Sequence, residues 1–149
     1  EAKVSGHYVN SILATMEVTA QGYNEALLLD HRGFVGEGAA ENVFMVKKGK
    51  LYTPRPGAIF PGITRASIIT LAKHQGIGVV EKDITLAEFK KADEAFFTGT
   101  AAEVTPIASI DGKGIGKEAP GPITKLLKGI FSDIVHGKNK KYENWLEYC

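Results

Sequence analysis

The sequence predicts a mixed α/β (α+β-like) fold with substantial antiparallel pairing. Three observations carry this: short β-rich runs broken by tight turns, helical patterns with one apolar stripe, and alternation of the two along the chain. A length of 149 residues suits one domain with a real core. Hydrophobic residues make up 44% and charged residues 23%, a globular balance.

In chain order, Tyr8, Val9, Ile12, Leu13, Met16 and Ala20 fall on one helical stripe that ends near Gly22. The runs 26–30 and 34–37 flank His31-Arg32-Gly33 and predict a hairpin. The runs 43–46 and 51–53 flank Lys47-Lys48-Gly49-Lys50 and predict a second, with the lysines as a solvated turn. After Phe60-Pro61-Gly62, a helix over 64–75 carries Ile68, Ile69, Leu71 and Ala72, and Gly76 stops it. A strand over 77–84 follows, then Thr85 and Glu88 form a capping box for a short helix to about Lys91. Strands are expected over 94–98 and 104–110, the latter running into the turn signal Asp111-Gly112. The last helix opens at Pro122 and places Ile123, Leu126, Leu127, Ile130, Phe131, Ile134 and Val135 on one face, ending at Gly137. A basic tail follows, with Trp145 and Tyr148 expected to dock.

Composition excludes several functions. A net charge of +1 argues against a general electrostatic nucleic-acid binder. The lone Cys149 rules out an internal disulfide framework, and His7, His31, His74 and His136 lack ligand spacing, so no metal site is expected. No apolar run approaches the roughly 20 residues of a membrane span. A cytoplasmic protein is the resulting expectation. The chain begins Glu1-Ala2-Lys3 without an initiator methionine, immediately ahead of a helical pattern, so a further N-terminal portion is expected.

Three segments carry chemistry. At Phe60-Pro61-Gly62-Ile63-Thr64-Arg65 a helix begins, and its first N–H groups and dipole suit an anion, with the Thr64 hydroxyl as a further donor. Taken alone it reads as an ordinary helix start that an anion could use. Glu37-Gly38-Ala39-Ala40-Glu41-Asn42-Val43-Phe44 places two acids in an apolar setting. Glu37 is either a surface charge at a strand end or a partly buried carboxylate held for a cationic partner. Gly99-Thr100-Ala101-Ala102 follows an apolar strand, and its small side chains let backbone N–H groups approach a ligand. Gly112-Lys113-Gly114-Ile115-Gly116-Lys117 imitates a phosphate loop, but Glu118-Ala119-Pro120 stands where the helix should start, so a hairpin is expected.

In order and spacing these segments resemble the class IV pyridoxal-phosphate aminotransferases, and within them the branched-chain amino acid aminotransferases. The resemblance runs through Ala2-Lys3-Val4-Ser5-Gly6-His7-Tyr8, Glu37 to Phe44, Pro61-Gly-Ile-Thr-Arg65 and Gly99-Thr-Ala-Ala-Glu103. It departs at Ala40, where the family often has glycine, and at Phe60, where an aliphatic residue is usual. It implies a largely antiparallel β pseudo-barrel with flanking helices, as in the C-terminal domain of D-amino acid aminotransferase-like enzymes. Residues 1–149 would be that larger, pyridoxal-phosphate-binding domain, with the smaller N-terminal domain absent from this chain.

The resemblance also implies roles. Lys3 would be the Schiff-base lysine and proton shuttle. Glu37 would hydrogen-bond the pyridine nitrogen and keep it protonated, while Tyr8 supports the ring's phenolic oxygen. Ile63 and Thr64 would bind the phosphate through backbone N–H groups, assisted by Thr100. Thr100 and Ala101 would meet the substrate carboxylate, and Arg65 is left unassigned. The implied partners are small amino and 2-oxo acids, with a homodimer or larger homo-oligomer for the full-length protein. A D-amino acid aminotransferase, an aminodeoxychorismate lyase of the same fold and a non-catalytic truncated domain remain the alternatives.

Overall fold

The structure, a computed structural model, describes residues 4–57 and 59–147. Lys3, Ala58, Tyr148 and Cys149 therefore lie outside the described residues. The chain runs through α1 (Tyr8–Ala20), β1 (Leu27–Leu29), β2 (Val35–Gly38), β3 (Asn42–Lys47), β4 (Lys50–Pro54) and α2 (Ile63–His74). It continues through β5 (Val79–Lys82), α3 (Leu86–Phe89), β6 (Glu94–Gly99), β7 (Glu103–Pro106), β8 (Ser109–Ile110), β9 (Lys113–Gly114) and α4 (Pro122–Val135). The mixed fold with a largely antiparallel sheet and flanking helices is as expected. Among the described residues, β4 and β5 alone pair in parallel, joined by the crossover helix α2.

Turn chemistry sets the hairpins. Lys48 and Gly49 both adopt positive φ (50° and 73°), the two-residue turn whose twist matches the strands on either side. Asp111 and Gly112 repeat it (49° and 73°), so the lysine-glycine segment that imitates a phosphate loop is strand and turn. Thr85 accepts from the Glu88 N–H at 3.1 Å, half of the expected capping box; the Glu88 carboxylate pairs instead with Lys82 at 2.7 Å.

Strand β3 is the spine, with both faces covered and residues Val43 to Val46 all buried. Its alternating side chains feed two cores. Phe44 and Val46 join Phe96, Ile68, Leu71, Leu127 and Ile134 beneath α2 and α4, where the Phe44 and Phe96 rings stack at 5.1 Å. Val43 and Met45 join Val35, Ile84, Phe89 and Phe97 on the other face. That second core fills a pseudo-barrel: β2, β3, β4 and β5 pair in sequence. The Phe34–Thr85 bridge and the Val35 N–H to Ile84 C=O bond (2.8 Å) return β5 to β2.

Several boundaries differ from expectation. Only Val79–Lys82 of the 77–84 run forms the strand: Gly78 meets β4 through its C=O, which accepts from Leu51 N–H at 2.9 Å, and Ile84 beyond the strand is buried in the second core. The 104–110 run splits into β7 and β8, which belong to different sheets. On α4, Leu127, Phe131 and Ile134 are buried, whereas Leu126 and Val135 stand one residue (about 100°) off that stripe and are exposed. Helix α1 forms where periodicity places it, yet none of its residues is buried. The tail docks through Tyr142, whose hydroxyl lies 2.8 Å from His74 Nδ1, and Trp145 packs edge-on against that ring at 4.9 Å.

The two long helices of the sheet layer begin differently. At α4 the Gly121 N-cap offers no side chain, but buried Glu94 accepts from Ile123 N–H (3.0 Å), Thr124 N–H (2.7 Å) and Thr124 Oγ1 (2.7 Å). At α2 the Gly62 N-cap is likewise bare, and no side chain among the described residues caps it.

Candidate functional site

The open start of α2 faces a cleft of about 720 Å³, within the usual range for ligand sites. The elements that converge there are the start of α1, the β2–β3 turn, the α2 turn and the β6–β7 turn. Tyr8, Glu37, Ile63, Thr64, Thr100 and Ala101 all line it. The structure thus brings together every expected site residue except Lys3, which falls outside the described residues.

Glu37 sits in β2, directly across from Asn42 of β3. It is partly buried and has no cationic side chain within ion-pair distance among the described residues. Burial pushes its carboxyl above the ordinary value, more than the Phe60 N–H (2.9 Å to Oε2) draws it down. Glu41 at the cleft rim is shifted the same way, by burial first and then by the neighbouring Glu25 carboxylate, against the Ala40 N–H. Such groups await positive charge or a proton.

At α2, Thr64 is buried while the Ile63 side chain is 86% exposed, so Ile63 can serve a ligand only through its backbone. Gly62 is required, because a Cβ there would collide with the Asn42 carboxamide. The Phe60 main chain bonds at both ends: its N–H goes to Glu37 and its C=O accepts from Asn42 Nδ2 at 2.8 Å. A phenylalanine in place of an aliphatic residue therefore leaves these bonds intact. Between the paired Gly99 and Glu103, residues 100–102 form a tight loop in which Glu103 takes a φ of 48° and Thr105 Oγ1 donates to Ala102 C=O at 2.7 Å. That exposes Thr100 and Ala101 at the cleft.

Arg65 does not line the cleft. Its buried guanidinium bonds Pro54 C=O (2.8 Å) and Glu81 (2.6 Å), tying α2 to β4 and β5. Two site residues escaped the sequence reading. Asn42 looks like the polar start of an apolar strand, and Thr98 like an ordinary strand threonine. Yet Thr98 is 1% exposed, lines the cleft, and its hydroxyl has no partner among the described residues. A buried polar group at a strand position was the available signal.

These features fit a phosphorylated, pyridine-like ligand. Among the described residues the helix start has no side-chain cap, which suits its anion, the Glu37 carboxylate has no cation, which suits a protonated ring nitrogen, and the unbonded Thr98 hydroxyl and the exposed 100–101 turn remain for other polar groups. Among the described residues, no helix is long and apolar enough to cross a membrane.

Comparisons with known proteins agree with this geometry. Residues 1–110 match the family described as amino-transferase class IV. The chain is 49% identical over 144 residues to the branched-chain-amino-acid aminotransferase of Pseudomonas aeruginosa, covering 97% of this chain and 47% of that protein. It is 42% identical over 147 residues to the Escherichia coli (strain K12) enzyme of the same name, covering 98% and 48%. A crystal structure of a branched-chain amino acid aminotransferase complexed with N-(5'-phosphopyridoxyl)-L-glutamate superposes with a TM-score of 0.96 at 47% identity, covering 99% of this chain and 49% of that one. The Thermobaculum terrenum branched-chain enzyme in its PLP form gives 0.95 at 45%, covering 97% and 48%. The chain spans about half the length of the curated relatives it matches.

Proposed function

The chain belongs to the amino-transferase class IV family, and on that premise we propose that it is the cofactor-binding part of a branched-chain-amino-acid transaminase. The reaction is pyridoxal-phosphate-dependent exchange of an amino group between leucine, isoleucine or valine and 2-oxoglutarate. The observation that carries this reading is one cleft onto which a helix start and a half-buried glutamate, neither with a capping or cationic side chain among the described residues, converge with two small-residue turns. Relatives solved with phosphopyridoxyl ligands share the fold at TM-scores of 0.95 to 0.96.

Bound pyridoxal phosphate supplies an electron sink for the carbon from which the amino group leaves. The chain's residues do the rest. Lys3 would hold the cofactor through its amine and would carry the proton to and from the substrate α-carbon. Glu37 would hold a proton on the ring nitrogen, Tyr8 would support the ring oxygen, and Ile63 and Thr64 would offer backbone N–H groups to the phosphate with Thr100 assisting. Thr100 and Ala101 orient the substrate carboxylate. The amino and 2-oxo acid substrates, a homodimer or larger oligomer, and a cytoplasmic location complete the reading.

The test is titration with pyridoxal phosphate followed by donor comparison. The absorbance change of covalent attachment is expected in the wild type and lost in Lys3→Ala. With residues equivalent to the other half of its relatives supplied, L-leucine is expected to be used and D-alanine not; the isolated 149 residues are expected to be inactive. Preference for D-alanine would select the D-amino acid reading instead. Absence of cofactor uptake by the full-length protein would sink the enzyme reading.

A further inference from the structure

We propose that Asn42 is a positioning residue that sets the distance between the carboxylate serving the cofactor's ring nitrogen and the helix start serving its phosphate. This rests on the pyridoxal-phosphate reading above. Asn42 is 5% exposed at the first position of a strand whose next four residues are apolar and buried, where an amide costs stability unless it is bonded. Its bonds all go to the two seats. Nδ2 donates to Phe60 C=O at 2.8 Å and lies 3.4 Å from Glu37 Oε2. The same Glu37 oxygen accepts the Phe60 N–H at 2.9 Å, and Phe60 C=O also accepts the Gly62 N–H at 2.9 Å.

Three groups therefore close a ring: the Glu37 carboxylate, the Phe60 main chain and the Asn42 carboxamide. Gly62, the N-cap of α2, hangs directly from that ring, and the absence of a Cβ there lets the Asn42 carboxamide press against the turn. The amides of Ile63 and Thr64 are the next in the chain. A single carboxamide thus fixes where the anion seat lies relative to the acid that meets the ring.

A ligand gripped at both ends gains from the second contact only when the two seats have the right separation. Removing Asn42 leaves both seats in place and loosens their spacing. The loss is expected in the joint grip, not in either seat alone.

The experiment compares pyridoxal phosphate with pyridoxal, which lacks the phosphate, as ligands of the full chain. Dissociation constants are measured by equilibrium dialysis for the wild type, Asn42→Ala and Asn42→Ser, with thermal unfolding as the folding control. In wild type the ratio of the two constants reports what the phosphate adds once the ring is held. We expect that ratio to fall about tenfold or more in both variants, with pyridoxal affinity changing by less than about threefold. If both ligands weaken in parallel and the ratio holds, Asn42 merely supports the fold and the proposal is overturned. Unchanged affinities overturn it too. Should Asn42→Ala fail to fold, the serine variant carries the same comparison. A wild type that takes up neither ligand overturns the cofactor reading and this inference with it, whereas wild-type uptake with an unchanged ratio in the variants overturns the inference alone.

Discussion

Helices α4 and α2 both start at a glycine with no side chain to cap it, and the chain treats the two starts oppositely. At α4 it brings Glu94 from β6 to satisfy two N–H groups and the hydroxyl of buried Thr124. At α2 it brings no capping side chain from the described residues. Around that opening, among the described residues, the Thr98 hydroxyl is unbonded and the Glu37 carboxylate has no cation. The first arrangement closes on itself and stabilises the fold. The second leaves polar groups without a described partner around the cleft, the pattern expected of a binding site rather than of a core.

The largest expected effect comes from breaking the closed end. Glu94→Ala should destabilise the protein by about 3 kcal/mol in urea unfolding, because a charged, buried cap serving three donors is lost. An undiminished midpoint would show that α4 needs no cap. The two buried threonines should then answer with opposite signs. Thr124→Val removes a bond to a charged acceptor and should cost about 2 kcal/mol. Thr98→Val removes an unbonded hydroxyl and should raise the stability of the cofactor-free protein by about 1 kcal/mol. Equal signs would dissolve the contrast between the two ends.

The smallest effect concerns pH. Burial holds the Glu37 carboxyl above its ordinary value of 4.5, so the folded protein binds that proton more tightly than the unfolded chain. The charged form is a cost above the folded value, and the cost is relieved as pH falls towards 4.5. Glu37→Gln should remove this part of the pH dependence and leave the unfolding midpoint at neutral pH no lower than wild type, while pyridoxal phosphate binding weakens. A large loss of midpoint would mean that Glu37 serves the fold.

Much of this was legible in the sequence. The turn at Lys48-Gly49 follows from residues that tolerate positive φ, and α2 and α4 follow from apolar spacing and glycine stops, all of them local preferences. The anion-seat reading of 60–65 and the exposed small-residue turn at 99–102 were visible for the same reason. Asn42, Thr98 and Arg65 were not, because a polar residue's role depends on which distant group it meets. Arg65 shows this well: sitting inside the motif, it points away from the cleft to Glu81. Helix α1 shows the limit of periodicity, which placed the helix correctly but is silent on what, if anything, its apolar stripe packs against.

By itself, then, the sequence placed most strands, turns and helices, though not the ends of β5 or the break between β7 and β8, and it marked segments with the chemistry to meet an anion, since these depend on dihedral preference and spacing within a few residues. Only the tertiary structure decided that one bare helix start is sealed by Glu94 while the other opens onto the cleft shared by Glu37, Tyr8 and Thr100. The physical reason is that hydrogen bonds are short and directional: whether a donor is satisfied is settled by the position of residues far away in the chain.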